Sequence, residues 1–226
     1  MYFISGIISE VFYLLIFIFT IPLGYVFQLK GVNKNPTRKN SIVFVNGFLN
    51  QNLLYYFMKR HLEKRGHRMY MVNLGLLNGD ITHKAKLLSK YIKGNHLKNI
   101  TLVGASMGGL IGFYYLQELN GWNKANRFIT IGTPFRGSNL NILSFFFRYT
   151  RQLNQNSQYI KSLFGNGKKI KNLGKITCIS TYYDEFVPIK SSIIPGGINK
   201  KLNVIGHANL LAFSPQTFEL VAEYAS

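Results

Sequence analysis

Residues 41 to 226 alternate between short apolar runs and segments with helical spacing, and this alternation limits the fold more than any other feature. The apolar runs are the predicted strands 41–45, 68–72, 99–103, 127–131, 175–180 and 201–205, and the predicted helices are 51–65, 82–92, 108–119 and 216–224. Strands that are apolar along their whole length are typical of a parallel sheet buried on both faces. The sequence therefore predicts an α/β fold with a mostly parallel central sheet and helices on both faces.

The composition excludes several other classes of protein. With 47% hydrophobic and 15% charged residues, the chain of 226 residues can bury a core and is not disordered. The single cysteine, Cys178, excludes an internal disulfide scaffold and a zinc site built on thiolates. Only 8 acidic residues stand against 27 basic ones, which disfavours two-metal chemistry with its clustered carboxylates. We expect neither a metal nor a cofactor.

A Gly-x-Ser-x-Gly sequence, Gly104 to Gly108, directly follows the third predicted strand and opens the next predicted helix. A sharp strand–turn–helix of this kind brings two backbones into contact, so glycine is needed where a Cβ would clash. The turn would hold the serine in a strained conformation with its hydroxyl at the edge of the sheet. The sequence therefore predicts Ser106 as a nucleophile.

The scarcity of acids narrows the search for partners of Ser106, because a serine nucleophile needs a base that an acid orients. The other acids that follow Ser106 lie in predicted helices, which leaves Asp184 and Glu185 beyond the fifth strand. We predict Asp184 as the orienting acid because its side chain is shorter and stiffer, with Glu185 as the alternative. His207 follows the last strand and is the only histidine after Asp184, so it is the predicted base.

Backbone N–H groups are the predicted donors to a developing oxyanion. Met107, at the start of the helix after Ser106, provides one of them. The loop after the first strand should provide the second, and there Gly47 permits close approach to the substrate. We predict the N–H of Phe48 as that donor, with Asn46 as a loop-shaping hydrogen-bond group; an ordinary Asn-Gly turn is the alternative.

Taken together, these segments resemble the α/β-hydrolase superfamily, and within it the bacterial lipases and related esterases. The matching segments occur in the order found in that superfamily: FVNGF (44–48), GASMGG (104–109), IGTPFRGS (131–138), DEFVP (184–188) and GHANLL (206–211). The resemblance implies the α/β-hydrolase fold and a catalytic triad of serine, acid and histidine. One position departs from the pattern, since lipases usually carry His-Gly where this chain has Asn46 and Gly47.

The N-terminal segment, residues 1–29, contains no Lys or Arg and a single acid. Its apolar part, 11–29, is long enough as a helix to match a bilayer core, so we expect a membrane anchor followed by a linker over 30–40. Four basic residues directly follow the anchor and indicate a domain on the cytoplasmic side: Lys30, Lys34, Arg38 and Lys39. The alternative is a helix that is buried or forms a lid on the domain of residues 41–226.

Two further segments bear on partners. Residues 139–167 interrupt the alternation with apolar side chains and predict a lid over the site, with an ordinary helix on the sheet as the alternative. Basic residues cluster in three ranges, 59–68, 84–93 and 168–175. None of these clusters contains a nucleic-acid-binding motif, so we expect attraction to anionic lipid and no specific nucleic acid. The oligomeric state is not indicated.

These features predict a membrane-associated serine hydrolase of carboxylic esters, with a lipid acyl ester or a small ester as substrate. The same triad would serve a thioesterase, or an acyltransferase if an alcohol replaces water as the acceptor. A different hypothesis is a catalytically silent module of the same fold that binds a membrane or a partner, which the departure at Asn46 favours.

Overall fold

A computed structural model describes residues 2–26, 41–47, 52–75, 80–139, 152–154, 157–164 and 169–226 of the chain. Within the first helix, side chains are described from residue 4 to residue 20. The linker predicted over 30–40 and most of the lid predicted over 139–167 lie outside the described residues.

In the described part of the chain, six parallel strands form one sheet in the order β2-β1-β3-β4-β5-β6. The strands are β1 Ser41–Val45, β2 Arg68–Val72, β3 Ile100–Ala105, β4 Ala125–Ile131, β5 Ile176–Tyr183 and β6 Ile198–Ile205. The chain moves from β1 outward to β2, then returns to the far side of β1 for β3. The direction of winding therefore reverses between β1 and β3, and the crevice at the carboxyl ends of these strands is where α/β sheets place their sites.

Helices cover both faces of the sheet. They are α1 Tyr2–Val26, α2 Tyr56–Lys64, α3 Ile81–Gly94, α4 Met107–Glu118, α5 Gln158–Phe164 and α6 Pro215–Ala225. The side chains of β1 alternate between two cores: Val43 packs with the α3 and α4 side, and Phe44 packs with the α2 and α6 side. This alternation follows from the period of two along a strand, and it explains why all five residues of β1 are buried.

The prediction of a parallel α/β sheet is confirmed, and the bounds of β1 and β2 are those predicted. The larger differences between the predicted and observed bounds are at the end of β5 and at the start of β6. Strand β5 continues through Tyr182 and Tyr183, which are exposed, and β6 begins at Ile198 in a polar, half-exposed stretch at the sheet edge. An edge strand is only partly buried, so its hydrophobic pattern is too weak to mark where it starts.

Helix α1 differs most from the expectation. The membrane anchor predicted over 1–29 is not supported, since no helix among the described residues combines the length and the apolar character needed to cross a membrane. Instead α1 packs on the domain, against the turn Asn52–Tyr55, strand β6 and the helical turn Asn209–Phe213. Hydropathy predicted a span because it does not reveal whether a polar residue such as Glu10 has partners inside the protein.

The described part of the segment predicted as a lid is a short helix. Leu153 is buried, and α5 buries Ile160 and Leu163 in the same core as α3 and α4. These residues therefore match the alternative of an ordinary packed helix, while a lid elsewhere in 139–167 stays a prediction.

The first test of this packing is at Gly108, where α4 passes the end of β1. A Cβ at Gly108 would collide with the carbonyl oxygens of Val45 and Asn46. We expect Gly108→Ala to lower the free energy of unfolding by about 1–3 kcal/mol, the usual cost of overpacking. Gly94→Ala is the matched control, because a Cβ there meets nothing within 4 Å in helix α3. Urea unfolding measures both, and equal stability of the two variants would contradict the packing described.

Candidate active site

Ser106 lies in the sharp turn between β3 and α4 and has a backbone conformation that residues other than glycine rarely adopt. Its φ and ψ are 51° and −123°, and its N–H donates to the carbonyl oxygen of Ile131 at 2.7 Å. A Cβ at Gly104 would lie only 2.5 Å from the Cα of Gly109, so the glycines let strand and helix approach. Strain of this kind, held by the surrounding hydrogen bonds, is typical of functional positions.

His207 lies between Ser106 and Asp184. Its Nε2 is 3.2 Å from the Oγ of Ser106, and its Nδ1 is 2.6 Å from Oδ2 of Asp184. A carboxylate only accepts hydrogen bonds, so Nδ1 carries the proton and Nε2 is left to accept from the serine hydroxyl. Nearly all of the Asp184 side chain is buried, which shields this pair from water. The arrangement can withdraw a proton from Ser106.

Neighbouring groups fix the acid and the imidazole. The second carboxylate oxygen of Asp184 accepts from the N–H of Phe186 at 3.0 Å and of Val187 at 2.8 Å. The ring of Phe186 meets the imidazole edge-on, with 5.7 Å between centroids. On the other side lies Gly132, where a Cβ would come within 3.1 Å of the imidazole. The acid and the ring therefore have little freedom to move apart.

The alternative acid, Glu185, has a different contact. Its Oε2 accepts a hydrogen bond at 2.9 Å from the backbone N–H of His207 rather than from the imidazole. The two adjacent acids thus hold the same residue at two places, Asp184 at the ring and Glu185 at the main chain.

The pKa of His207 is set by opposing influences. Burial is the largest of them and lowers it, while the charge and hydrogen bond of Asp184 raise it, together with the charges of Glu185 and Glu10. The carboxylates prevail, so the pKa of His207 lies above its ordinary value of 6.5. A base with a pKa raised in this way accepts a proton more strongly.

The predicted oxyanion donors are only partly described. Met107 is the first residue of α4, and its neighbour Gly108 lies against the end of β1. Phe48 lies outside the described residues. Asn46 is described, and its Nδ2 donates to Oδ1 of Asn52 at 2.7 Å, which ties the loop after β1 to the next turn.

Glu10 also lies in this region, although it is not among the site residues that the sequence predicted. The helix α1 places its carboxylate against the backbone next to His207, where it accepts from the N–H of Ala208 at 2.7 Å and of Asn209 at 2.9 Å. A signal was present in the sequence: a lone acid in an apolar segment must find polar partners wherever it is buried.

No group of three or more histidine, cysteine or acidic side chains in the described part of the chain could hold a metal ion. The acids that do cluster, at 10, 184 and 185, are all engaged by N–H groups or by the imidazole. The hydrogen bonds that join Ser106, His207 and Asp184 suit proton transfer and nucleophilic attack by these side chains.

Comparison with known proteins supports the same fold. The family model of lecithin:cholesterol acyltransferase matches residues 80–166, a stretch that includes Ser106 and ends before Asp184 and His207. Among solved structures, the mature form of a Bacillus licheniformis lipase is 18% identical with a TM-score of 0.70, and the match covers 87% of this chain and 99% of the lipase.

Two further structures are similar over most of this chain. Lipase B of Aspergillus fumigatus is 22% identical with a TM-score of 0.69, and the match covers 86% of this chain and 53% of that lipase. An esterase from Exiguobacterium antarcticum is 17% identical with a TM-score of 0.57, and the match covers 82% of this chain and 91% of the esterase. The α/β-hydrolase fold and the resemblance to lipases and esterases are thereby confirmed.

The electrostatics of the site can be tested without a substrate. In Asp184→Asn the imidazole keeps its burial but loses the carboxylate charge, so the pKa of His207 should fall below that of the wild type. NMR titration of the His207 ring measures this, with the exposed His83 as an internal reference. An unchanged or higher pKa in the variant would show that Asp184 does not control the imidazole.

Proposed function

We propose that this protein is a serine hydrolase of carboxylic esters and that lipid acyl esters are its substrate class. The observation that carries the proposal is the imidazole of His207, which lies 3.2 Å from Ser106 at one nitrogen and 2.6 Å from Asp184 at the other. The resemblance to lipases and esterases supports the same reaction class.

The reaction proceeds in two halves. The Oγ of Ser106 attacks the ester carbonyl carbon while Nε2 of His207 takes the hydroxyl proton, and Asp184 stabilises the imidazolium. The tetrahedral oxyanion accepts hydrogen bonds from the N–H groups of Met107 and Phe48. The carbon–oxygen bond of the leaving alcohol then breaks, and His207 donates its proton to that oxygen. Water, deprotonated by the same imidazole, attacks the acyl carbon; the bond to Oγ then breaks, the imidazolium returns its proton to Oγ of Ser106, and the carboxylic acid is released.

The outer face of α1 supports a lipid as substrate. Large apolar side chains on this helix are exposed, between 45% and 69% each: Ile4, Ile7, Ile8, Val11, Phe12, Leu15, Ile18 and Phe19. The polar residues Glu10 and Thr20 are turned towards the domain and buried. A contiguous apolar face of this kind marks a surface for lipid or protein. Since α1 also contacts the segment after His207, lipid bound to it would lie close to the site.

The net charge of +19 agrees with a lipid surface. Basic side chains close to an anionic bilayer contribute roughly 1 kcal/mol each to binding. We therefore include anionic lipid surfaces among the partners of this protein, with α1 lying on the surface rather than crossing it.

A second candidate function is acyl transfer to an alcohol. The match of residues 80–166 to the lecithin:cholesterol acyltransferase family favours it. Both activities share the acyl-serine intermediate and differ only in whether water or an alcohol attacks it. Assays with an added long-chain alcohol distinguish them, because transfer yields a new ester and hydrolysis yields free acid.

Replacement of the nucleophile tests the reaction class. Ser106→Ala should reduce p-nitrophenyl ester turnover by at least about 10⁴-fold, because the acyl-serine intermediate cannot form. A fluorophosphonate probe should label the wild type at Ser106 and leave the variant unlabelled. Ser9→Ala is the control, since the Ser9 hydroxyl donates to the carbonyl oxygen of Ser5 in its own helix. Full turnover by Ser106→Ala would contradict the role of Ser106 as nucleophile, whereas a folded wild type without adduct or turnover would favour the silent module.

Replacement of the apolar face of α1 tests the substrate class. The triple variant Ile8→Ser, Phe12→Ser, Phe19→Ser should bind vesicles of phosphatidylglycerol less tightly and hydrolyse vesicle-bound esters more slowly, while turnover of soluble p-nitrophenyl acetate stays near that of the wild type. Leu87→Ser, which changes an exposed apolar residue on α3, is the control. Co-sedimentation with vesicles measures binding. Equal binding by both variants would remove the lipid surface from the proposal.

A further inference from the structure

Three successive N–H groups at the start of the segment after β6 are each held by a carboxylate. The N–H of His207 donates to Glu185 at 2.9 Å, that of Ala208 to Glu10 at 2.7 Å, and that of Asn209 to Glu10 at 2.9 Å. Glu185 is adjacent in sequence to Asp184, whereas Glu10 comes from a helix 198 residues away in the sequence. The backbone that carries the imidazole is therefore fixed from two independent elements.

Glu10 is buried and closely packed against the turn after β6. It is 6% exposed, although it lies in a helix whose other face is open and apolar. Gly206, directly before His207, has a φ of +95°, and a Cβ there would collide with the Glu10 carboxylate. Gly206 is thus required both by its backbone conformation and by the closeness of Glu10. The carboxylate of Glu10 therefore fills the space that a side chain at Gly206 would need.

We propose that Glu10 is a positioning residue for His207, which makes helix α1 a part of the catalytic apparatus. The inference rests on the proposed ester hydrolysis. Glu10 acts through the backbone, because it holds the N–H groups of Ala208 and Asn209 and so fixes the distance between Nε2 and the serine. A displacement of about 1 Å at such a contact can reduce turnover by up to about 100-fold.

The charge of Glu10 provides a second way to detect this role, through its effect on the pKa of His207. The pKa of Glu10 is raised to about 7, mainly by burial and also by the neighbouring carboxyl of Glu185, while the two backbone hydrogen bonds act to lower it. The charge of Glu10 in turn raises the pKa of His207. The elements packed against Glu10 carry these other ionisable groups: Tyr13 on α1, Tyr55 in the turn Asn52–Tyr55, Tyr183 on β5, and Lys200 and Lys201 on β6.

The experiment compares Glu10→Ala and Glu10→Gln with Ser9→Ala in the full chain. Glu10→Ala should lower kcat for p-nitrophenyl acetate by about 10- to 100-fold with little change in KM, because the imidazole is displaced while the binding surface remains. Glu10→Gln keeps one acceptor oxygen and should recover part of that loss. Ser9→Ala, on the same helix, should match the wild type.

NMR titration of His207 provides a readout that does not depend on turnover. In both Glu10 variants the pKa of His207 should be lower than in the wild type and in Ser9→Ala, since a nearby negative charge has been removed. Loss of kcat together with this shift, at a melting temperature close to that of Ser9→Ala, supports the positioning role. If Glu10→Ala unfolds, Glu10→Gln decides by the same two measurements.

Two other outcomes have distinct meanings. A wild type that labels at Ser106 and turns over ester, together with Glu10 variants that equal Ser9→Ala in kcat and in the pKa of His207, would overturn the positioning role alone. A wild type without turnover would overturn the proposed hydrolysis, and a lowered pKa of His207 in the Glu10 variants would still support contact between α1 and the segment after β6.

Discussion

The close approach of α4 to the ends of β1 and β3 is the constraint on which the rest of the site depends. It is possible because residues 104 and 108 lack a Cβ, and Ser106 in the turn between strand and helix has a φ of 51°. The hydroxyl is then presented at the sheet edge where the winding direction reverses. The ends of β5 and β6 supply the acid and the imidazole at this same edge, so parallel topology alone brings three distant residues together.

Around that edge the chain concentrates its few acids. Three of the 8 acidic residues, Glu10, Asp184 and Glu185, surround His207 in a molecule that otherwise carries 27 basic side chains. Each acid has a separate task, since Asp184 holds the imidazole and the other two hold consecutive backbone N–H groups. All three raise the pKa of His207 and so stabilise its protonated form.

The sequence predicted the sheet and its helices because these depend on local patterns, and the three residues it proposed for the site, Ser106, Asp184 and His207, lie together in the structure. The strands β1 and β2 are apolar throughout and were bounded correctly, and the glycines around Ser106 have a single structural reason. The edge strand β6 was predicted too short, since half-exposed residues give little periodicity. The contact between Glu10 and Ala208 spans 198 positions and leaves no local pattern, so it could not be predicted.

Helix α1 shows why hydropathy alone does not establish the environment of this segment. Most of its large apolar side chains are exposed while Glu10 and Thr20 are buried, although Ile16 and Phe17 also pack against the core. Such a helix has two requirements: polar partners on the domain side and an apolar medium on the other. The N–H groups after His207 meet the first, and a lipid surface would meet the second. Glu10 then connects the two, because the residue that docks α1 on the domain is also the one that fixes the backbone of the base.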